Sequence, residues 1–215
     1  MRLRSLVNWP GEGRKIRKDV DVTVSVSTFV PKPHTSFQWE AQIGVEETLA
    51  KQDRLRQRLR RQGIGFRYHD AQQSFVEGVL SRGDRRLANA IEAVATAGCR
   101  LDAWSERYDH KTWIQCLSQE LAPYGIAPED YLKERSEADL LPWDHMDAGI
   151  LKKFLIRDRR KAYSEDVIQD CAFSEHCYAC GGCDLGRSLS SQVKGRPGGA
   201  FGRAAACGSQ PREPP

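Results

Sequence analysis

A single strand–helix–strand run near the start of this 215-residue chain constrains its fold more than any other feature. Residues 21–30, DVTVSVSTFV, alternate valine with threonine and serine, a β-branched pattern that predicts a strand. Pro31 and Pro33 end it, because proline brings no N–H to a ladder. After the loop KPHTSFQWEAQIG, the residues Val45, Leu49, Gln52, Leu55 and Leu59 recur at three- and four-residue spacing and predict a helix over 45–62. Gly63 supplies a stop, and 64–69 reads as a second strand. Strands separated by a helix pair in parallel, so the run predicts a βαβ unit. Such a unit cannot bury itself, and no further convincing strand follows. The remainder reads as helices over 74–81, 84–97, 110–121, 128–134 and 148–163. Asp84 and Asp147 are placed to accept from free amides at the second and fifth of these, and Gly98 can end the second.

Composition narrows the class. With 40% hydrophobic and 29% charged residues the chain can build the core of a globular protein, in one or two domains. A net charge of +4 permits nucleic-acid binding without arguing for it. The first twenty residues hold no apolar run that could act as a signal-peptide core, and no stretch is long and apolar enough to span a bilayer. The expectation is a cytoplasmic protein without membrane contact, whose thiols are reduced. Residues 187–215, rich in Gly, Ser, Arg, Ala and Pro, cannot bury enough apolar area to offset their ordering entropy and read as a disordered tail.

Four of the seven cysteines fall within thirteen residues: Cys171, Cys177, Cys180 and Cys183, spaced C-x5-C-x2-C-x2-C. Two-residue gaps let successive thiolates converge on one point. Gly181 and Gly182 allow a tight turn and leave amides free to donate to sulfur. Four thiolates at this density suit an iron–sulfur cluster, with 4Fe–4S favoured, and a four-cysteine zinc site is the close rival. His176 could stand in for Cys171 in either. Cys99 and Cys116 read as small core residues, and Cys207, in the tail, as incidental.

The runs VTVSVSTFVPKPHTSFQWEAQ, EGVLSRGDRRL, LPWDHMDAG and CYACGGCD, in that order within residues 21–184, resemble the C-terminal half of a family of radical S-adenosylmethionine (SAM) proteins. Members often carry a cobalamin-binding-type domain at the N-terminus. The resemblance implies an α/β fold in which residues 22–30 are one of the last strands of a partial TIM barrel, and in which PKPHTSF lies on the side where barrel chemistry sits. In that family a C-x3-C-x2-C motif holds the 4Fe–4S cluster that cleaves SAM. This chain has no such motif, so the resemblance implies part of a radical SAM enzyme, without radical activity alone and folding together with an absent N-terminal part. The four clustered cysteines match the family's C-terminal cysteine motif, and an auxiliary cluster there is the inference from their spacing. The expected organisation is the end of the barrel over 1–70, a helical extension over 71–165, a cysteine-rich metal-binding segment over 166–186 and the tail over 187–215.

Other candidates weigh less. His34, with Lys32 and Thr35, would face substrate or SAM at the barrel mouth, against the plainer reading of a polar loop fixed by two prolines. Trp39, followed by Glu40, reads as a lid on a core. Residues 51–62 carry six basic residues against one acid and could hold RNA phosphates, although a solvated face is the favoured reading. Trp143, Asp144, His145 and Asp147 read as a helix start, with proton transfer or metal binding as the rival role. Asp102 and Glu106, around Trp104, have no assigned role. The alternative to the enzyme reading is a zinc-knuckle module contacting RNA or a protein partner.

Overall fold

A computed structural model describes residues 21–168 and 178–182. The chain is mixed helix and sheet, mostly helical, with one small parallel sheet among the described residues. Strand β1 (Thr23–Val26) pairs in parallel with β2 (Gly65–Tyr68), Thr23 opposite Gly65 and Val26 opposite Tyr68, and helix α1 (Val45–Arg61) makes the crossover. The βαβ unit is therefore present, but each strand is four residues long, shorter than the valine pattern predicts.

Helix α1 buries Thr48, Gln52 and Leu59. Gln52 reaches across to give its Nε2–H to the His69 carbonyl at 2.8 Å, which ties the helix to the end of β2. Gly63, at φ 65°, supplies the left-handed turn that releases the chain from α1 into β2.

Helices α2 (Ala71–Arg82), α3 (Leu87–Thr96) and α4 (His110–Leu121) build the main core with a 3₁₀ segment, Pro128–Leu132. Val79, Ala90, Leu117 and Leu121 are fully buried in it. Asp70 caps α2 by accepting from the amides of Gln72 and Gln73, so this helix starts three residues before the predicted one. Asp109 does the same for α4 through Lys111 and Thr112. Asp84 is not an N-cap: α3 begins at Leu87, and the Asp84 carboxylate accepts from the amide and the guanidinium of Arg86. Asp147 likewise accepts from the Gly149 amide in a turn, and the last helix, α5, runs only over Lys152–Tyr163. The stretch predicted as a helix over 128–134 is instead a five-residue 3₁₀ segment, Pro128–Leu132.

Two compact units divide these elements. One holds the residues up to Pro31 together with Glu40–Arg135; the other holds Lys32–Trp39 together with the chain from Ser136 onward. In the first unit the fully buried Arg82 organises the chain around α2. Its guanidinium donates to the carbonyls of Tyr131 (2.8 Å), Lys133 (2.7 Å) and Glu40, and its own carbonyl accepts from Arg135 at 2.8 Å. Burial, reinforced by Arg135 and opposed by Glu40, lowers its pKa to about 10, so it stays charged at neutral pH. In the second unit Trp39, Leu141, Trp143 and Leu155 form a small core.

Arg82→Met keeps length and packing but orphans the three carbonyls. Each buried carbonyl left without a donor costs roughly 1 kcal/mol or more, so a loss on the order of 3 kcal/mol is expected from the denaturant midpoint. Arg82→Lys, with a point charge in place of a fork, should restore only part of it.

Candidate metal centre

The second unit is built around a glutamine. Gln38 is buried, and its Oε1 accepts from the Trp143 indole N–H at 2.6 Å and from the His34 amide at 3.0 Å. Both donors aim at one oxygen, so the loop that follows Pro31 is fixed to a segment 105 residues further along. His34 adopts a left-handed conformation (φ 57°), which an L-residue tolerates only when surrounding contacts hold it. Thr35 Oγ1 donates back to the Lys32 carbonyl at 2.7 Å, closing the turn. Ser36 donates from its hydroxyl to Asp158 on α5.

Asp144 is the hub on the other side. Its Oδ2 accepts from the Leu141 amide at 3.0 Å and from Lys152 Nζ at 2.7 Å, at the first residue of α5. Burial pushes its carboxyl up, but Lys152, the Leu141 amide and the nearby His34 together hold it below the usual value of 3.8. Trp143 is buried and His145 exposed, in turns that precede α5 and do not start it. Glu137 is bridged by Arg159 and Arg160 of α5 at 3.1 and 2.6 Å.

Residues 178–182 lie against the start of α5. The Leu151 amide donates to the Cys180 carbonyl at 2.8 Å, and Arg157 donates to the Tyr178 carbonyl. Ala179 (φ 50°) and Gly181 (φ 92°) are both left-handed, which bends the chain tightly around Cys180. This bend turns the Gly182 amide back onto Cys180 Sγ at 3.4 Å. A Cβ at Gly181 would sit 3.0 Å from the Gly149 carbonyl oxygen and from Leu151 Cγ, so glycine is required twice over, by φ and by space. An amide aimed at a sulfur two residues back stabilises the thiolate, the form in which cysteine binds metal.

Cys171, Cys177, Cys183 and His176 lie outside the described residues, as does Cys207. Among the described residues no group of three or more His, Cys, Asp or Glu side chains is arranged to hold a metal ion. Cys116 is buried in the main core and Cys99 packs against it. Burial pushes the Cys99 thiol up, with Asp102 and Asp109 adding to the effect.

The remaining candidates separate. Trp39 is fully buried in the second unit's core, while the Glu40 carbonyl belongs to the Arg82 cluster of the first unit. Trp104 and Glu106 are exposed, and Asp102 is half-buried with its carbonyl accepting from Gln73 Nε2 at 3.4 Å. Sequence reasoning missed Gln38 and Lys152, because a glutamine in a loop and a lysine eight residues past an aspartate carry no local signal. It also missed Tyr108, whose hydroxyl donates to the Gln72 carbonyl and lies 3.0 Å from His110 Nδ1. Burial lowers the His110 pKa against the pull of Asp70 and Asp109, which leaves the ring neutral at pH 7 in a structural tie.

No helix among the described residues is long and apolar enough to cross a membrane. No family model matches the chain, and neither a curated protein nor a solved structure matches it.

The lowered Asp144 pKa carries a pH signature. A carboxyl that is more acidic folded than unfolded contributes its stability fully above the unfolded value of 3.8 and loses it as pH falls through the folded value. The melting temperature should therefore fall on acidification below that point. Asp144→Asn should start lower at neutral pH and show a flatter acid limb; an unchanged limb would remove Asp144 from the titration.

Proposed function

We propose that this chain is the C-terminal region of a radical SAM iron–sulfur enzyme and that Cys171, Cys177, Cys180 and Cys183 hold an auxiliary cluster. The observation that carries the reading is the turn at Cys180, where Gly181 is left-handed and the Gly182 amide points at Sγ at 3.4 Å. A structural cysteine has no need of such a donor, whereas a thiolate ligand is stabilised by it. The donor set fits the group in chemistry: four thiolates in thirteen residues match the ligand count of a 4Fe–4S cluster. When bound, the cluster would supply electron relay or a substrate-binding point.

The chain's own residues would do the rest. The 178–182 turn is held by Leu151 and Arg157, so Cys180 is anchored to the start of α5. The same helix carries Lys152 and Asp158, which bind Asp144 and Ser36, so the PKPHTSF loop is held through contacts to the same helix. The parallel β1–α1–β2 unit is of the kind that repeats in a partial TIM barrel, which supports that reading. The C-x3-C-x2-C motif is absent from this sequence, so SAM cleavage is not assigned to its residues.

The same amide-to-sulfur geometry would also serve a four-thiolate zinc knuckle, so the metal decides between an enzyme part and a binding module. The test is anaerobic purification of the full chain with iron, sulfide and zinc assays and a visible spectrum. Brown protein with matching iron and sulfide, lost in Cys180→Ala, is the expected result. Gly181→Val, with every cysteine intact, should also lower metal content by disturbing the turn. Colourless protein with one zinc per chain would replace the enzyme reading with the zinc module. Protein free of both metals would end both.

A further inference from the structure

We infer that the exposed face of α1 is a binding surface for the phosphate backbone of a base-paired nucleic acid. This inference is independent of the metal reading, since α1 and Cys180 belong to different units. Between residues 51 and 67 the chain carries seven basic residues and one acid, Asp53; all its other residues together hold 26 basic and 28 acidic ones. The net positive charge of the whole chain is thus owed to this one short stretch, and the rest is slightly negative.

Solvation alone would satisfy a basic helix. The structure adds how these charges are arranged. Lys51 is paired with Glu47 at 2.7 Å and Arg56 with Asp53 at 3.2 Å, both near the middle or start of the helix. Arg54, Arg58, Arg60 and Arg61 are all exposed, and among the described residues none has a carboxylate partner. Arg54 and Arg58 are four apart, Arg58 and Arg61 three apart, so like charges stand side by side on one face. Such neighbours repel and weaken the helix. The helix dipole favours cations in the last turn and so accounts for Arg58, Arg60 and Arg61, but Arg54 lies beyond its reach. An unmixed stripe that works against its own helix is what a polyanion partner would relieve.

Geometry selects the partner. From Arg54 through Arg58 to Arg61 is seven helical steps, a rise of about 10 Å, over which one strand of a duplex presents roughly three phosphates along its axis. Base stacking is not offered: the aromatic beside α1, Tyr68, already has Arg56 over its ring at 5.0 Å and Phe66 stacked at 5.2 Å. A surface rich in unpaired guanidinium and poor in open rings fits backbone contacts on a duplex better than the splayed bases of a single strand. RNA and DNA duplexes share this chemistry.

The test is fluorescence anisotropy of the full chain with labelled RNA duplex, DNA duplex and single strand of equal length, from 50 to 200 mM salt, with poly-glutamate as competitor. The variant is Arg54→Gln/Arg58→Gln/Arg61→Gln, and the control is Arg85→Gln/Arg100→Gln/Lys111→Gln, exposed basic residues elsewhere. If three phosphate contacts are made, the wild type should lose about 40-fold more affinity than the variant over that salt range, while the control follows the wild type. Preference for one duplex names the source. The inference is overturned by absence of duplex binding at 50 mM salt, by equal salt slopes in wild type and variant, by an equal loss in the control, by tighter binding of the single strand, or by poly-glutamate competing as well as the duplex, which would identify an acidic protein as the partner. Melting temperatures of both variants no lower than that of the wild type keep the comparison free of misfolding.

Discussion

One guanidinium determines how the first unit closes. Arg82, at the end of α2, is out of contact with solvent yet remains charged, because three carbonyls from two distant segments surround it in place of water. Those carbonyls, on Glu40, Tyr131 and Lys133, come from the two ends of the unit's longer stretch, Glu40–Arg135. Glu40 and Lys133 lie outside the helices and strands and Tyr131 lies at the end of the 3₁₀ segment, so without Arg82 each carbonyl would need water in a region that excludes it. A lysine could not reach all three, which is why the position calls for a planar fork of donors. Gln42 repeats the device on a smaller scale: its amide nitrogen donates to the Ser74 carbonyl and its backbone N–H to the Leu132 carbonyl, and it occupies the space that a side chain at Gly78 would fill.

What the sequence reveals follows from how local the cause is. The crossover helix, both of its strands and the glycine at its end are legible because periodicity and φ are properties of a few adjacent residues. The turn at Cys180, with its glycine pair, is legible for the same reason. The helix starts are less so. Asp70 and Asp109 are the caps, whereas Asp84 and Asp147 look equally suitable in sequence but are engaged in turns with Arg86 and Gly149. Which aspartate caps is decided by where the helix must begin to bury its apolar face, and that is a tertiary matter. Gln38 and Arg82 were illegible outright, since their partners lie 105 and between 42 and 51 residues away.

The same distinction governs the candidate site. Cysteine spacing is local and reads directly from the chain, whereas the support of the site is not. Helix α5 carries Lys152 against Asp144, Asp158 against Ser36 and Arg157 against Tyr178, so one amphipathic helix gathers three segments that the sequence leaves unrelated. Lys152, Arg157, Arg159, Arg160 and Lys161 of α5 thereby have partners within the second unit, while Arg54, Arg58, Arg60 and Arg61 of α1 have no carboxylate partner among the described residues.

The second unit is discontinuous, and this governs how the chain can be made and divided. Residues 32–39 emerge about a hundred positions before Leu141, Trp143 and Leu155, the residues that cover Trp39. During synthesis Trp39 must wait, exposed, while the whole of the first unit is completed, and only then can the loop closed by Gln38 form. Two covalent crossings, on either side of Lys32–Trp39, also mean that no single cut separates the units intact. A fragment beginning at Ser136 would lack its central tryptophan, and one ending at Arg135 would carry that tryptophan bare. The turn at Cys180 is therefore not a detachable appendage, since the helix it rests on, α5, also holds a loop laid down near the other end of the chain.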